Sequence, residues 1–308
     1  MKTKKFSIGK LLLLLIGIIA ALLYLSPVLI LVNSSFKTLK EIYLNILALP
    51  ETLSFANYSA AFAALDFGQT FLNSVVITVT STILILLVSS MAAWALARYK
   101  TKTSKVLFMI FASAQLIPFQ CVMLPLVDFM DKLHLMNRPG LIFMYVGFGC
   151  SMSIVLFHGF ISNVPKELEE AATIDGCNLF QTFFKIVLPL LKTILVTVAI
   201  LEVMWIWNDF LLPQLVINKT GWQTLPLKTY LFFGQFTKKW DLATAGLVLC
   251  MLPIVIFYLL FQKHIVKGVT EGAVKRRRKI RRQTDILGMS VLGRDCADSA
   301  SLILGRMV

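Results

Sequence analysis

The sequence predicts an all-α membrane protein with six transmembrane helices. Three observations carry that reading. Apolar residues make up 57% of the 308-residue chain and charged ones 15%, with a mean hydropathy of +0.79, whereas a soluble domain is about 25% charged. The apolar residues gather in runs of about 20, the length a helix needs to cross a hydrocarbon core. Of the 30 Lys and Arg, 22 fall on the N-terminal side of those runs and 8 on the other. The net charge of +14 therefore reads as a positive-inside bias, not as a nucleic-acid surface.

The elements follow in order. Residues 1–10 hold Lys2, Lys4, Lys5 and Lys10, and an apolar run covers 11–33. The run is long enough to span and no small-x-small cleavage pattern follows, so it reads as an uncleaved first span with a cytoplasmic N-terminus. Residues 34–70 are mixed in character, and Pro50-Glu51 and Asn57-Tyr58 mark an extracytoplasmic loop with short helices. The core, 71–270, carries the other five spans. The second covers 71–97, and its Thr78, Thr80, Ser81, Thr82, Ser89 and Ser90 suit helix-to-helix packing. The third, 106–127, is broken by Pro118 and Pro125. The fourth, 140–161, has Gly147 and Gly149 for close approach; the fifth and sixth cover 186–212 and 243–265.

Between the fourth and fifth spans, residues 163–189 hold a dense acidic cluster: Glu167, Glu169, Glu170 and Asp175. Pro165 and Glu167 suit the first turn of a helix over 165–174. Gly176 supplies a residue free to take positive φ where it ends. Leu168, Ala171 and Ala172 share a slim apolar face. Asn178 can cap a second helix bearing Phe180, Phe183 and Phe184 and ending at Pro189. A helix lying on headgroups would set basic residues against bulky apolar ones; here acids flank alanines, which suits a groove in another protein.

The spacing Glu170-Ala171-Ala172, three residues, Gly176, nine residues, Ile186-x-Leu188-Pro189 resembles the EAA loop of binding-protein-dependent ABC importer permeases. Residues 26–275 as a whole are similar to the smaller permease of maltose and multiple-sugar transporters, the carbohydrate-uptake type. The first external loop and the stretch KHIVKGVTEGAVK, ending at Lys275, share in that likeness. The resemblance implies the ABC type I importer permease fold, with a cytoplasmic coupling helix that docks on an ATPase. Glu170, Ala171, Ala172, Asp175, Gly176, Ile186, Leu188 and Pro189 are its coupling residues. It also implies a second homologous permease, an ATPase dimer, an extracytoplasmic solute-binding protein, and a bacterial or archaeal plasma membrane with both termini cytoplasmic.

A substrate path is expected around Glu202, the carboxylate well inside the fifth span, since an ionisable residue in a membrane usually faces a bundle interior or cavity. Trp205, Trp207 and Asn208 follow it in EVMWIWNDFLLP, which resembles the fifth helix of sugar permeases; Gln115, and less strongly Gln120, lie near Pro118. Indole faces stack on the C–H faces of sugars. No P-loop occurs, so the chain cannot supply its own ATP site; the resemblance implies that ATP and Mg are held by a partner ATPase, with no cofactor bound and no reaction catalysed by this chain. The five cysteines are scattered without a CxxC pair and the three histidines lack ligand spacing, which leaves no metal site. Acids do not form a relay across the spans, which disfavours a stand-alone secondary carrier; an importer of another polar solute, such as a polyamine or amino acid, is the nearer alternative. Beyond Lys275 the chain departs from the family: Arg276–Arg282 holds six basic residues in seven, suited to anionic lipid, and 275–308 reads as a disordered extension.

Overall fold

The computed structural model describes residues 8–217, 219–234 and 239–286. Helix α1 (Ile8–Ser35) precedes two short helices, α2 (Leu39–Leu44) and α3 (Ala56–Ala64). The long α4 (Phe67–Arg98) follows, then α5 (Lys102–Ala114), α6 (Phe119–Lys132) and α7 (Arg138–Ile161). The connecting region holds α8 (Glu167–Ile174), α9 (Leu179–Thr182), a π-helical turn (Phe183–Val187) and α10 (Leu188–Leu190). Last come α11 (Lys192–Asn208), α12 (Leu211–Val216), α13 (Leu225–Thr229) and α14 (Trp240–Ile286).

Four described helices are long and apolar enough to cross a membrane: α1, α4, α7 and α14. Two helix pairs are long and apolar enough only when taken together, and each is bent: α5 with α6 by 104°, and Leu179–Leu190 with α11 by 79°, which brings the number of candidate spans to six. The all-α architecture with six spans is thus the one expected, with its breaks in particular places. Pro118, which lacks an N–H and pushes Ile117 out of the helical region, sets the first break. Pro125 lies inside α6 and interrupts nothing. In the fifth expected span, 186–212, helix α11 begins at Lys192, after the bend. Pro189 clashes with the carbonyl four residues back, and the π-helical turn widens the backbone there. The last helix continues through Lys275 to Ile286, beyond where the sequence placed the start of an extension; residues 287–308 lie outside the described residues.

Helix α4 packs along α7, and α11 lies against α4, α7 and α14. The polar residues of α4 face inward as expected: Thr78, Ser81, Thr82, Ser89 and Ser90 are buried, while Thr80 is exposed. Gly149 is the close approach, since a Cβ there would sit 2.5 Å from Ile85 Cδ1 and 2.9 Å from Glu202 Oε2. Gly147 faces open space. Along α1, the most apolar stretch buries nothing inside the chain.

The loop after α1 is tied by its own polar groups. Buried Lys37 donates from Nζ to the carbonyls of Asn45 and Ile46, at 3.0 and 2.9 Å. Asn57 donates to the carbonyls of Ser35 and Lys37. Thr38 and Glu41 form a capping box at α2, and the Glu51 N–H donates to Glu41 Oε1 at 2.9 Å. The N–H groups of Glu51 and Thr38 lower the Glu41 carboxyl from 4.5 to about 2.

Two outcomes follow. A carboxylate with a depressed folded value stabilises the loop above pH 4.5 and loses that effect as the pH falls toward 2. Amide exchange over residues 38–51, corrected for intrinsic rate, should therefore accelerate across that window, and Glu41→Gln should remove the dependence. Gly149→Val should destabilise the helix bundle by about 1–3 kcal/mol through overpacking, read as a lower melting temperature in detergent, whereas Gly147→Ala should leave it unchanged.

Candidate functional site

The short helix α8 sits between α7 and α9 and is tied to the end of α4 through Glu169. Glu169 Oε1 accepts from Arg98 Nε at 2.8 Å and Nη2 at 2.5 Å, and Oε2 accepts from Trp94 Nε1 at 3.0 Å. Arg98 also donates to the carbonyls of Val164 and Ile161. A single guanidinium at the end of α4 thus fastens both the C-terminal end of α7 and the first turn of α8. Forked, charge-assisted pairs of this kind fix geometry as well as adding energy. The acids in the first turn, Glu167, Glu169 and Glu170, also complement the dipole of α8.

The expected loop residues divide into two sets around that clamp. Ala172 is turned into the chain, 5% exposed. Glu170, Ala171 and Asp175 are on the open side. Helix α8 begins at Glu167, two residues after Pro165, and ends where Gly176 takes φ +81°. A Cβ at Gly176 would meet nothing within 4 Å, so glycine is needed there for its backbone and not for space. Asn178 caps α9 as expected, in a reciprocal box with Gln181. Of the later positions, Ile186 and Leu188 are half-buried and Pro189 is exposed. The deeper anchors were not foreseen: Phe183, Val187 and Leu191, at i, i+4 and i+8, are buried with Ala93, Ala97, Phe157 and Ile161, and Phe183 meets Trp94 at 5.6 Å.

Three large apolar residues stand out among the polar ones on the outer surface of this loop. Ile174 is 87% exposed, Phe180 66% and Leu179 62%. They lie close to Glu170 and Ala171 along the chain, in the region that connects α7 to α11. Exposed apolar groups clustered in this way mark a contact surface.

The second candidate group separates. Glu202 is buried between helices, its Oε1 accepting from Ser153 Oγ at 2.8 Å. Trp207 is also buried, turned toward α14, with Nε1 donating to the Cys250 carbonyl and its ring 5.9 Å from Phe71. It is therefore a packing residue, as 500° of helical rotation separates it from Glu202. Trp205 is exposed and stands edge-on to Tyr145 at 5.6 Å. Tyr145 in turn donates to Asp209 Oδ2 at 2.9 Å, a partner that sequence spacing could not supply. Asn208 is exposed and donates to the Met204 carbonyl; Gln115 is exposed and reaches the Ser151 carbonyl.

Glu169→Gln should loosen the α8 loop by roughly 2 kcal/mol, the worth of hydrogen bonds to a charged group. Trypsin cleavage after Lys166 should then accelerate by about tenfold or more, with the spans still intact by circular dichroism.

Known proteins resemble this chain along most of its length. Residues 85–271 match the family of binding-protein-dependent transport system inner membrane components. The probable starch degradation products transport system permease protein AmyC of Thermoanaerobacterium thermosulfurigenes is 48% identical over 273 residues, covering 89% of this chain and all of that one. The multiple sugar-binding transport system permease protein MsmG of Streptococcus mutans is 37% identical, covering 83% of this chain and 94% of that protein. The melibiose/raffinose/stachyose import permease protein MelC of Bacillus subtilis is 35% identical, covering 85% and 95%. A crystal structure of a bacterial ABC transporter involved in the import of the acidic polysaccharide alginate shares the fold, with a TM-score of 0.73 at 23% identity over 85% of this chain and 99% of that one. With the apolar spans and the loop spacing on the same chain, this protein belongs to the family of binding-protein-dependent transport inner-membrane components and is a multi-pass permease subunit of an ABC importer.

Proposed function

We propose that the chain carries sugars or oligosaccharides across the membrane, with α8 as the helix on which a cytoplasmic ATPase docks. The observation that carries the docking reading is the open face of the α8–α9 loop, where Glu170 and Ala171 accompany exposed Ile174, Leu179 and Phe180. A groove in a soluble partner would cover that apolar surface. Glu169 faces the other way, into Arg98, so a push on α8 passes directly to α4. Asp175, Gly176, Ile186, Leu188 and Pro189 shape the segment behind the contact. ATP and Mg are held by the partner ATPases. Their closure drives the two coupling helices together, turns the central cavity outward and lets a solute-binding protein deliver substrate.

A second, homologous permease supplies the other half of the cavity, and the apolar length of α1, unburied in this chain, is a surface it can share with lipid. The excess of Lys and Arg on one side supports a cytoplasmic setting for both termini and α8. Sugar as substrate rests on the names of the relatives, which transport starch degradation products, multiple sugars, and melibiose, raffinose and stachyose. Exposed Trp205, braced by Tyr145 and Asp209, supplies an aromatic face with polar groups beside it, suited to a polyol.

Glu170→Lys and Ala171→Arg place charge on the open face without touching the clamp. The ATPase should no longer co-purify and uptake should fall by about tenfold or more, while membrane insertion is unchanged. Ala172→Asp would bury a charge and disrupt the loop itself, so it tests folding instead. A chain that transports without an ATPase would overturn this reading.

A further inference from the structure

A second crevice lies on the other side of the α4 terminus, separate from the α8 surface. It has a volume of about 330 Å³ and is lined by Leu96, Ala97, Lys100, Thr101, Ser104, Lys105, Phe108, His158 and Ser162. None of these is acidic. Among the described residues, Lys100 and Lys105 have no ion-pair partner, whereas nearby Arg98 is fully engaged by Glu169. Thr101 and Ser104 share one hydrogen bond at 3.0 Å, which leaves one of the two hydroxyl protons free to donate. The floor is apolar: Phe108 stacks on His158 with ring centroids 4.2 Å apart. The crevice opens where the chain turns from α4 into α5, at one end of the bundle.

We infer that this crevice binds the phosphate of an anionic phospholipid headgroup. Lys100 and Lys105 supply the charge, and a hydroxyl from the Thr101–Ser104 pair donates to a phosphate oxygen. Basic pockets between transmembrane helices at the cytoplasmic surface bind such headgroups. What favours a lipid over a soluble phosphate is the flank beside Lys105. Val106, Met109 and Ile110 on α5 are all more than half exposed, giving acyl chains an apolar track that starts at the cationic site. The crevice beside α8 differs in kind: it is lined by Glu169 and Glu170 as well as Lys166 and Arg98, so its charges are mixed. This assignment depends on the membrane setting of the chain and not on its substrate or its ATPase.

The test is native mass spectrometry of the full-length protein in mild detergent, titrated with phosphatidylglycerol or phosphatidylcholine, with inorganic phosphate as the soluble competitor. Phosphatidylglycerol should bind in preference to phosphatidylcholine. The Lys100→Gln/Lys105→Gln pair should weaken that binding by roughly 30-fold, the combined worth of two basic residues at an anionic surface. Ser162→Phe, which fills the crevice and leaves its charge alone, should weaken it as well. Lys132→Gln, on a cation that Asp128 already pairs, should have no effect, and helicity by circular dichroism should match in all variants. Equal binding of the two lipids, or parent-like binding by both crevice variants, would overturn the inference. Displacement of lipid by millimolar inorganic phosphate would overturn it too, by assigning the site to a soluble anion.

Discussion

The structure around α8 depends on one ion pair at the end of α4. Arg98 has five N–H donors, and the geometry uses them on Glu169 and on the carbonyls of Ile161 and Val164. The Ile161 carbonyl ends α7 and the Val164 carbonyl lies in the turn beyond it, where helical acceptors run out. Without the guanidinium, the end of α7, the turn that follows and the start of α8 would each need a separate solution. With it, three elements share one anchor, and Trp94 donates to the other oxygen of Glu169. The acidic helix is therefore mechanically part of the bundle although it lies outside the spans.

Much of this was legible in the sequence because the signals were local. Span existence follows from run length, and Gly176 and Asn178 announce a helix stop and a helix start through backbone and side-chain chemistry confined to a few residues. What stayed hidden depends on distance. Glu169 and Glu170 are adjacent and chemically alike, but a 100° turn separates them, and the inward one is chosen by an arginine 71 positions earlier. The corner before Lys192 was hidden for another reason. The run on either side of Pro189 stays apolar, so hydropathy gives no hint that the backbone widens into a π turn and then bends. Pro118 and Pro125 show the converse, since both carry the same break signal and only the first breaks the chain.

The residues around Glu202 show how far composition can point. A carboxylate within a span demands a partner, and Ser153 is that partner. The demand does not say whether the site is open, and in this structure the group is enclosed. Its neighbours at helical spacing lead different ways: Trp205 to Tyr145 and the outer surface, Trp207 to α14 and the interior. Toward the end of α11, Tyr145 joins Trp205 and Asp209 in one polar and aromatic group.

Where Gly149, Ile85 and Glu202 meet, three helices come within a methyl group's clearance of one another. Surfaces fitted so closely do not slide by fractions of a residue; they stay locked or move by whole turns. That makes the meeting point of α4, α7 and α11 the tightly keyed middle of the bundle. The bends lie away from it, in the corner ahead of α11 and the elbow between α5 and α6. The prolines beside those two places put the breaks in the backbone at the edges of the bundle and leave its middle unbroken.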